Sequence, residues 1–261
     1  MESAANDVLF ERRGPVAWVT FNRPRARNAM TFAMYDRLAE ICDEVEADSD
    51  VRVLVLTGAG DKAFVAGTDI GQFQTFTDPR HALDYEEHMD GVIGRLDALA
   101  RPTIAAIRGY AVGGGASMAL ACDMRICTPD ARLGVPIART LGNCLSMNNY
   151  ARLIDLIGSA RTKELIYLAK MIEADDLRTM GLANEIVAPA DLESRVQQIA
   201  EQIAGHAPLT IQVTKESVRR ILAHRRIPRA DDLILKAYMS EDFHEGVHAF
   251  LEKRQPLWKG R

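Results

Sequence analysis

The run Gly113-Gly114-Gly115, with Ala116-Ser117 behind it, is the stretch that most constrains the fold. It ends one apolar segment, Ile104-Ala105-Ala106-Ile107, and opens a second, Met118-Ala119-Leu120-Ala121. The spacing predicts a strand that breaks into a helix through residues without side chains. Such a junction presents unpaired backbone N–H groups at a positive helix end, where an anion or an anionic transition state is favoured. Glycine also lets another molecule approach that backbone closely.

The flanking pattern extends this reading. Val8 to Arg12 and Val16 to Asn22 are strand-like runs separated by Gly14-Pro15, a predicted hairpin. Met34, Tyr35, Leu38, Ile41, Cys42 and Val45 recur at helical spacing, so Thr31 to Ala47 is expected to be an amphipathic helix. Val51 to Thr57 is a β-branched run suited to a strand buried on both faces. Pro79 to Leu99 reads as a helix that starts at a proline, followed by strand, glycine loop and helix through Thr103 to Leu120 and a short strand at Asp123 to Cys127. The strand–strand–helix cadence predicts parallel pairing with right-handed crossovers. Beyond Leu145 helical patterns dominate: Ser146 to Ile157, Ser159 to Ala169, Asp191 to Ala204, Leu209 to His224 and Ala230 to Lys253, with one strand candidate at Ala183 to Val187. The expected organisation is an α/β core over residues 1–200 and a helical C-terminal portion over 201–261.

Composition narrows the function classes. With 261 residues, 48% apolar and 26% charged, the chain can bury a substantial core. A net charge of −4 gives no electrostatic reason to expect nucleic acid as a partner. No run of 18 apolar residues exists, so no membrane span is expected, and the acidic Met1 to Asp7 stretch carries no leader pattern. Cys42, Cys122, Cys127 and Cys144 form no CxxC pair, which points to free thiols and a cytoplasmic setting.

A second loop resembles the first. Ala66-Gly67-Thr68-Asp69-Ile70 follows the strand-like Lys62-Ala63-Phe64-Val65 and also places a glycine before a helical turn. Two such loops after neighbouring strands could aim two backbone N–H groups at one point, as a developing oxyanion requires.

At this point the chain resembles the crotonase superfamily, the enoyl-CoA hydratase/isomerase family. The resemblance is carried in order by Asn22-Arg23-Pro24 with Asn28-Ala29-Met30, by Phe64 with Ala66 to Ile70, and by Ile104 through Gly115. It continues through Ala121-Cys122-Asp123, then Glu241-Asp242-Phe243, Gly246-Val247 and Ala249 to Arg254. It runs from about Val8 to Gly260 and implies a ββα superhelical core with a helical C-terminal portion used for trimer assembly.

The resemblance implies that the N–H groups of Thr68 and Gly114 polarise an acyl-CoA thioester and stabilise its enolate. It implies coenzyme A contacts from Arg25, Ala26, Arg27, Ala66 and Ile70, and from Phe250 and Lys253 reaching across from a neighbouring subunit. Coenzyme A would enter as part of an acyl-CoA or enoyl-CoA substrate, with no tightly bound cofactor, in a homo-oligomer, trimer or dimer of trimers. Hydratases of the family use two glutamates, and their positions here hold Ser117 and Ile137. Neither exchanges protons as a carboxylate does. The candidate substitutes are Ser117 itself, Glu86 and His88, with Tyr85, Glu87 and Asp90 on the same helix and Arg139, Asn143 and Cys144 after Ile137. The open alternatives are thioester hydrolysis and a catalytically inactive acyl-CoA-binding protein.

Two further motifs are weighed and set aside. His244-Glu245-Gly246-Val247-His248 fits H-E-x-x-H, but no third ligand follows in the usual extension and Gly246 weakens a helix. Gly115-Ala116-Ser117-Met118-Ala119 approximates a nucleophile elbow, with nothing tying it to a downstream acid and histidine.

Overall fold

The computed structural model describes residues 6–223 and 230–261. The acidic residues 1–5 and His224, the expected end of a helix, lie outside the described residues.

The chain opens with β1 (Val8–Arg13) and β2 (Val16–Phe21), an antiparallel hairpin as expected. Helix α1 (Phe32–Ala47) is capped by Thr31, whose hydroxyl accepts from Met34 N at 3.3 Å. Then come β3 (Val53–Gly58), β4 (Ala63–Val65) and α2 (Pro79–Ala98). They are followed by β5 (Thr103–Ile107), β6 (Tyr110–Val112) and α3 (Gly114–Ala121). The next turn is β7 (Met124–Cys127), β8 (Arg132–Gly134) and the short α4 (Ile137–Thr140). The rest is α5 (Met147–Tyr167), β9 (Met171–Glu173), α6 (Ala174–Thr179), β10 (Glu185–Ile186), α7 (Leu192–Ala204), α8 (Pro208–Ala223), α9 (Asp231–Tyr238) and α10 (Glu241–Leu251).

Successive turns of the chain feed two sheets. One has the order β1-β2-β3-β5-β7-β10, parallel except for the first pair; the other has the order β4-β6-β8-β9, with only β9 antiparallel. The first sheet is buried on both faces, as the β-branched runs predict. Val53 and Val55 face α7, where Leu192, Val196 and Ala200 cover them with Trp18. Leu54 and Leu56 face the main core, against Leu38, Phe64, Ala119 and Leu133. That split is the period of two in a strand read out as two clusters.

Three sequence expectations change. The strand ending at Ile107 does not run into the glycines. It turns at Arg108-Gly109, and β6 of the second sheet lies between. The segment Ala230 to Lys253 is two helices, because Ser240 leaves helical geometry and caps α10 by accepting from Phe243 N at 3.0 Å. The strands β8 and β9, three residues each, carry no apolar run long enough to announce them.

Helix α3 threads the main core and is buried from Gly115 to Ala121. Its C-terminal end is closed by the buried Arg125 from β7, whose Nη1 donates to Ala119 O at 3.0 Å and Cys122 O at 2.8 Å. A cation there complements the negative helix end and leaves the positive end facing the opposite way.

Candidate active site

The positive end of α3 opens onto a cavity of about 550 Å³. Gly113 sits at φ 53°, a left-handed conformation that glycine adopts without strain, and its N–H donates to Gly134 O at 3.0 Å. The next N–H, that of Gly114, has no acceptor among the described residues.

The second loop follows β4. A parallel bridge joins Thr68 to Met30, with Met30 N donating to Gly67 O at 2.9 Å and Asp69 N donating to Met30 O at 2.8 Å. Those bonds engage the Gly67 carbonyl, on the same peptide group, and the Asp69 N–H, while the Thr68 N–H itself has no acceptor among the described residues. Asn28 fixes the loop from below. Its side chain accepts from Arg23 N at 3.0 Å and donates to Ala59 O at 3.0 Å and Ala63 O at 2.8 Å. The two glycine loops touch: a Cβ built on Gly114 would lie 3.3 Å from Thr68 Oγ1 and would overlap the Tyr35 hydroxyl.

Of the residues singled out from the sequence, Thr68, Gly114, Ser117 and Glu86 line this cavity, as do Ala26, Arg27, Ala66, Ile70 and Phe250. Phe250 borders the cavity of its own chain and is half exposed. Arg27 lies at the rim with its guanidinium 5.7 Å from the Tyr110 ring centroid. Arg25 and Lys253 are exposed and do not line the cavity. His88 points away from it as well, its Nε2 lying 3.0 Å from Asp36 Oδ1. Two positions along a helix are about 200° around it, so Glu86 and His88 on α2 cannot share a face. Asp90 is engaged by Ser146 and by Asn148 Nδ2 at 3.1 Å. Arg139, Asn143 and Cys144 do line the cavity, and Arg139 has no ion-pair partner among the described residues.

At the positions that the resemblance gives to paired glutamates, Ser117 and Ile137 are both buried in the wall. Two carboxyls line the cavity: Asp69, paired with Arg23 Nη1 at 3.1 Å, and the buried Glu86 on the inner face of α2 beside Met89 and Ile93. Its Oε1 accepts from Tyr238 Oη, and Asn143 Nδ2 donates to that hydroxyl at 3.2 Å. Burial pushes the Glu86 carboxyl up to about 7; the Tyr238 bond opposes the shift and the nearby Asp90 adds to it. A group poised there can accept or deliver a proton near neutral pH.

The tyrosines Tyr35 and Tyr238 are the site residues that the sequence reading does not single out. Each sits on the apolar stripe of a helix, where a tyrosine reads as core, and only the polar tip hints otherwise. Among the described residues, no group of three His, Cys, Asp or Glu side chains could hold a metal ion. Gly246 of the H-E-x-x-H run instead packs against the Leu141 backbone.

Two interleaved sheets, with a helix N-terminus opening onto a cavity beside a second glycine loop, define a crotonase-like ββα-spiral enzyme. The family model for enoyl-CoA hydratase/isomerase matches residues 11–261. The short-chain-enoyl-CoA hydratase of Clostridium acetobutylicum is 34% identical over 258 residues, which is 96% of each chain. An enoyl-CoA hydratase/carnithine racemase from Magnetospirillum magneticum superposes with a TM-score of 0.80 at 30% identity, covering 98% of this chain and 96% of that one. A methylmalonyl-CoA decarboxylase in complex with 2-nitronate-propionyl-CoA superposes with a TM-score of 0.87 at 28% identity, covering 97% and 98%. The chain belongs to the enoyl-CoA hydratase/isomerase family.

Proposed function

We propose that this enzyme binds a CoA thioester with its carbonyl oxygen between the N–H groups of Thr68 and Gly114, forms the thioester enolate there, and moves the proton through Glu86. The observation that carries this reading is the sharing of one cavity by two backbone donors without acceptors among the described residues and a carboxyl that burial pushes up to about 7. Ala26, Arg27, Ala66 and Ile70 would line the path of the coenzyme, with Arg25, Lys253 and Phe250 nearer its phosphates and adenine. Ser117 would orient substrate rather than exchange protons. Coenzyme A is substrate here and not a resident cofactor.

The test is turnover of a panel of enoyl-, acyl- and alkylmalonyl-CoA thioesters, followed by mass spectrometry. At least one should be converted, and Glu86→Gln should slow it by about 10²–10⁴-fold. An unchanged rate removes Glu86 from the mechanism. Binding without conversion of any thioester would favour an acyl-CoA-binding protein, and release of free CoA a hydrolase.

A specific observation favours decarboxylation as a second reading. The cavity has no carboxylate at Ser117 or Ile137 to pull a proton from carbon, and the exposed Arg139 on its lining, without an ion-pair partner among the described residues, would receive a substrate carboxylate. In that reaction the bond from Cα to the carboxylate breaks, its electron pair becomes the thioester enolate and CO₂ leaves. Glu86 then protonates Cα. Conversion of the alkylmalonyl thioester alone, lost in Arg139→Ala, would select this reading.

The assembly we infer is a closed homo-oligomer, trimer or dimer of trimers, built on the helical portion over 201–261. Four free cysteines, three of them buried, suit a cytoplasmic enzyme.

A further inference from the structure

The enolate reading uses two backbone donors and leaves three hydroxyls in the same cavity without a role. Thr68 Oγ1 lies 3.0 Å from Tyr35 Oη and 3.1 Å from Tyr85 Oη. The three arrive from separate elements, α1, the loop after β4 and the first turns of α2, and all line the cavity. Three hydroxyls carry three protons, and two contacts between them engage two. No other acceptor among the described residues takes the third. Buried polar groups are normally paired, so a spare O–H facing a cavity points to a partner that arrives with a ligand.

The third proton is placed on Tyr35, fully buried in the wall, by the position of its hydroxyl. Its hydroxyl occupies the place a Cβ on Gly114 would need, so it packs directly against that residue. Both phenols keep their protons. Burial, opposed by the Thr68 bond, pushes Tyr35 up to about 12, and burial raises Tyr85 well above its ordinary value.

We propose that Tyr85, Thr68 and Tyr35 form a polarised hydroxyl relay whose terminal O–H, on Tyr35, is a third hydrogen-bond donor to the enolate oxygen. The proposal rests on the enolate reading above. Tyr85 donates to Thr68, Thr68 donates to Tyr35, and Tyr35 donates to the substrate oxygen. Successive bonds in such a chain strengthen one another, and the last acts where negative charge develops. Tyr35 is then a catalytic donor. Tyr85 and the Thr68 hydroxyl are positioning groups, distinct from the Thr68 backbone N–H.

The test compares affinities for two probes: butyryl-CoA, a neutral thioester, and a propionyl-CoA bearing an α-nitronate, a planar anion conjugated with the thioester. Wild type should prefer the nitronate. Tyr35→Phe should lose about 10²-fold of that preference, its nitronate affinity falling more than its butyryl-CoA affinity, and Tyr85→Phe should lose less. Thr68→Ala keeps its backbone N–H but cuts the relay, and should show the same selective loss if Tyr35→Phe does not fold. Full preference in Tyr35→Phe or, failing that variant, in Thr68→Ala overturns the relay. So does an equal fall for both probes, which marks a packing role, or a larger loss in Tyr85→Phe than in Tyr35→Phe. No preference in wild type overturns the enolate reading itself and the relay with it.

Discussion

Glu86 is a carboxyl placed where its ionised form is penalised, and this makes it visible in stability as well as in rate. Its value in the folded chain is raised from 4.5 to about 7. Between these values the unfolded chain releases the proton while the folded chain holds it. The contribution is therefore complete below about pH 4.5 and is lost as pH rises through about 7. A shift of this size corresponds to at most about 3 kcal/mol. Urea midpoints taken from pH 4.5 to 8 should fall across that window in wild type and fall less in Glu86→Gln. An equal slope in the two would remove Glu86 as the source. At this scale the sequence offered Glu86 as one candidate among several, and the structure places it in the cavity. Glu86 and His88 look equivalent as letters, and only the phase of α2 sends one into the cavity and the other to Asp36. Tyr35 and Tyr238 were legible as core positions, since apolar spacing reports burial and says nothing about where a hydroxyl ends.

Among the elements, those with their own burial pattern were readable. The β1–β2 hairpin, α1 and β3 each carry enough residues to show a period. The second sheet is built from three-residue strands, too short for any period, and it is held by pairing across chain segments rather than by local preference. The break between α9 and α10 lay behind a helical pattern that continues past it, and a serine cap decided the matter. Helix α10 supplies a test. Gly246 lowers its intrinsic propensity, yet a Cβ there would overlap the Leu141 carbonyl. Gly246→Ala should therefore lower stability by about 1–3 kcal/mol despite the better helix former. A rise in the denaturation midpoint would show that α10 and the loop at Leu141 can separate at no cost.

For the whole molecule, α8 is held to the core by polar contacts, Lys215 Nζ donating to Arg101 O at 3.0 Å and to Asp123 Oδ2 at 2.8 Å. It has no buried residue, and Leu209, Val213, Val218 and Ile221 are 71%, 63%, 52% and 66% exposed. The assembly inferred above would cover these side chains. Light scattering should give a mass of three or six chains, and Val213→Asp with Ile221→Asp should reduce it; a monomeric wild type would contradict the assembly inferred above. The two sheets have a different consequence. In both, spatial order follows sequence order: β1, β2, β3, β5, β7 and β10 in one, and β4, β6, β8 and β9 in the other. Each strand after the first of its sheet thus leaves the ribosome to find a neighbour already made and adds to an edge that is still open. Beyond β1 and β4, none of the described strands waits for its first partner to be synthesised, so the chain can be built in the direction in which it is read.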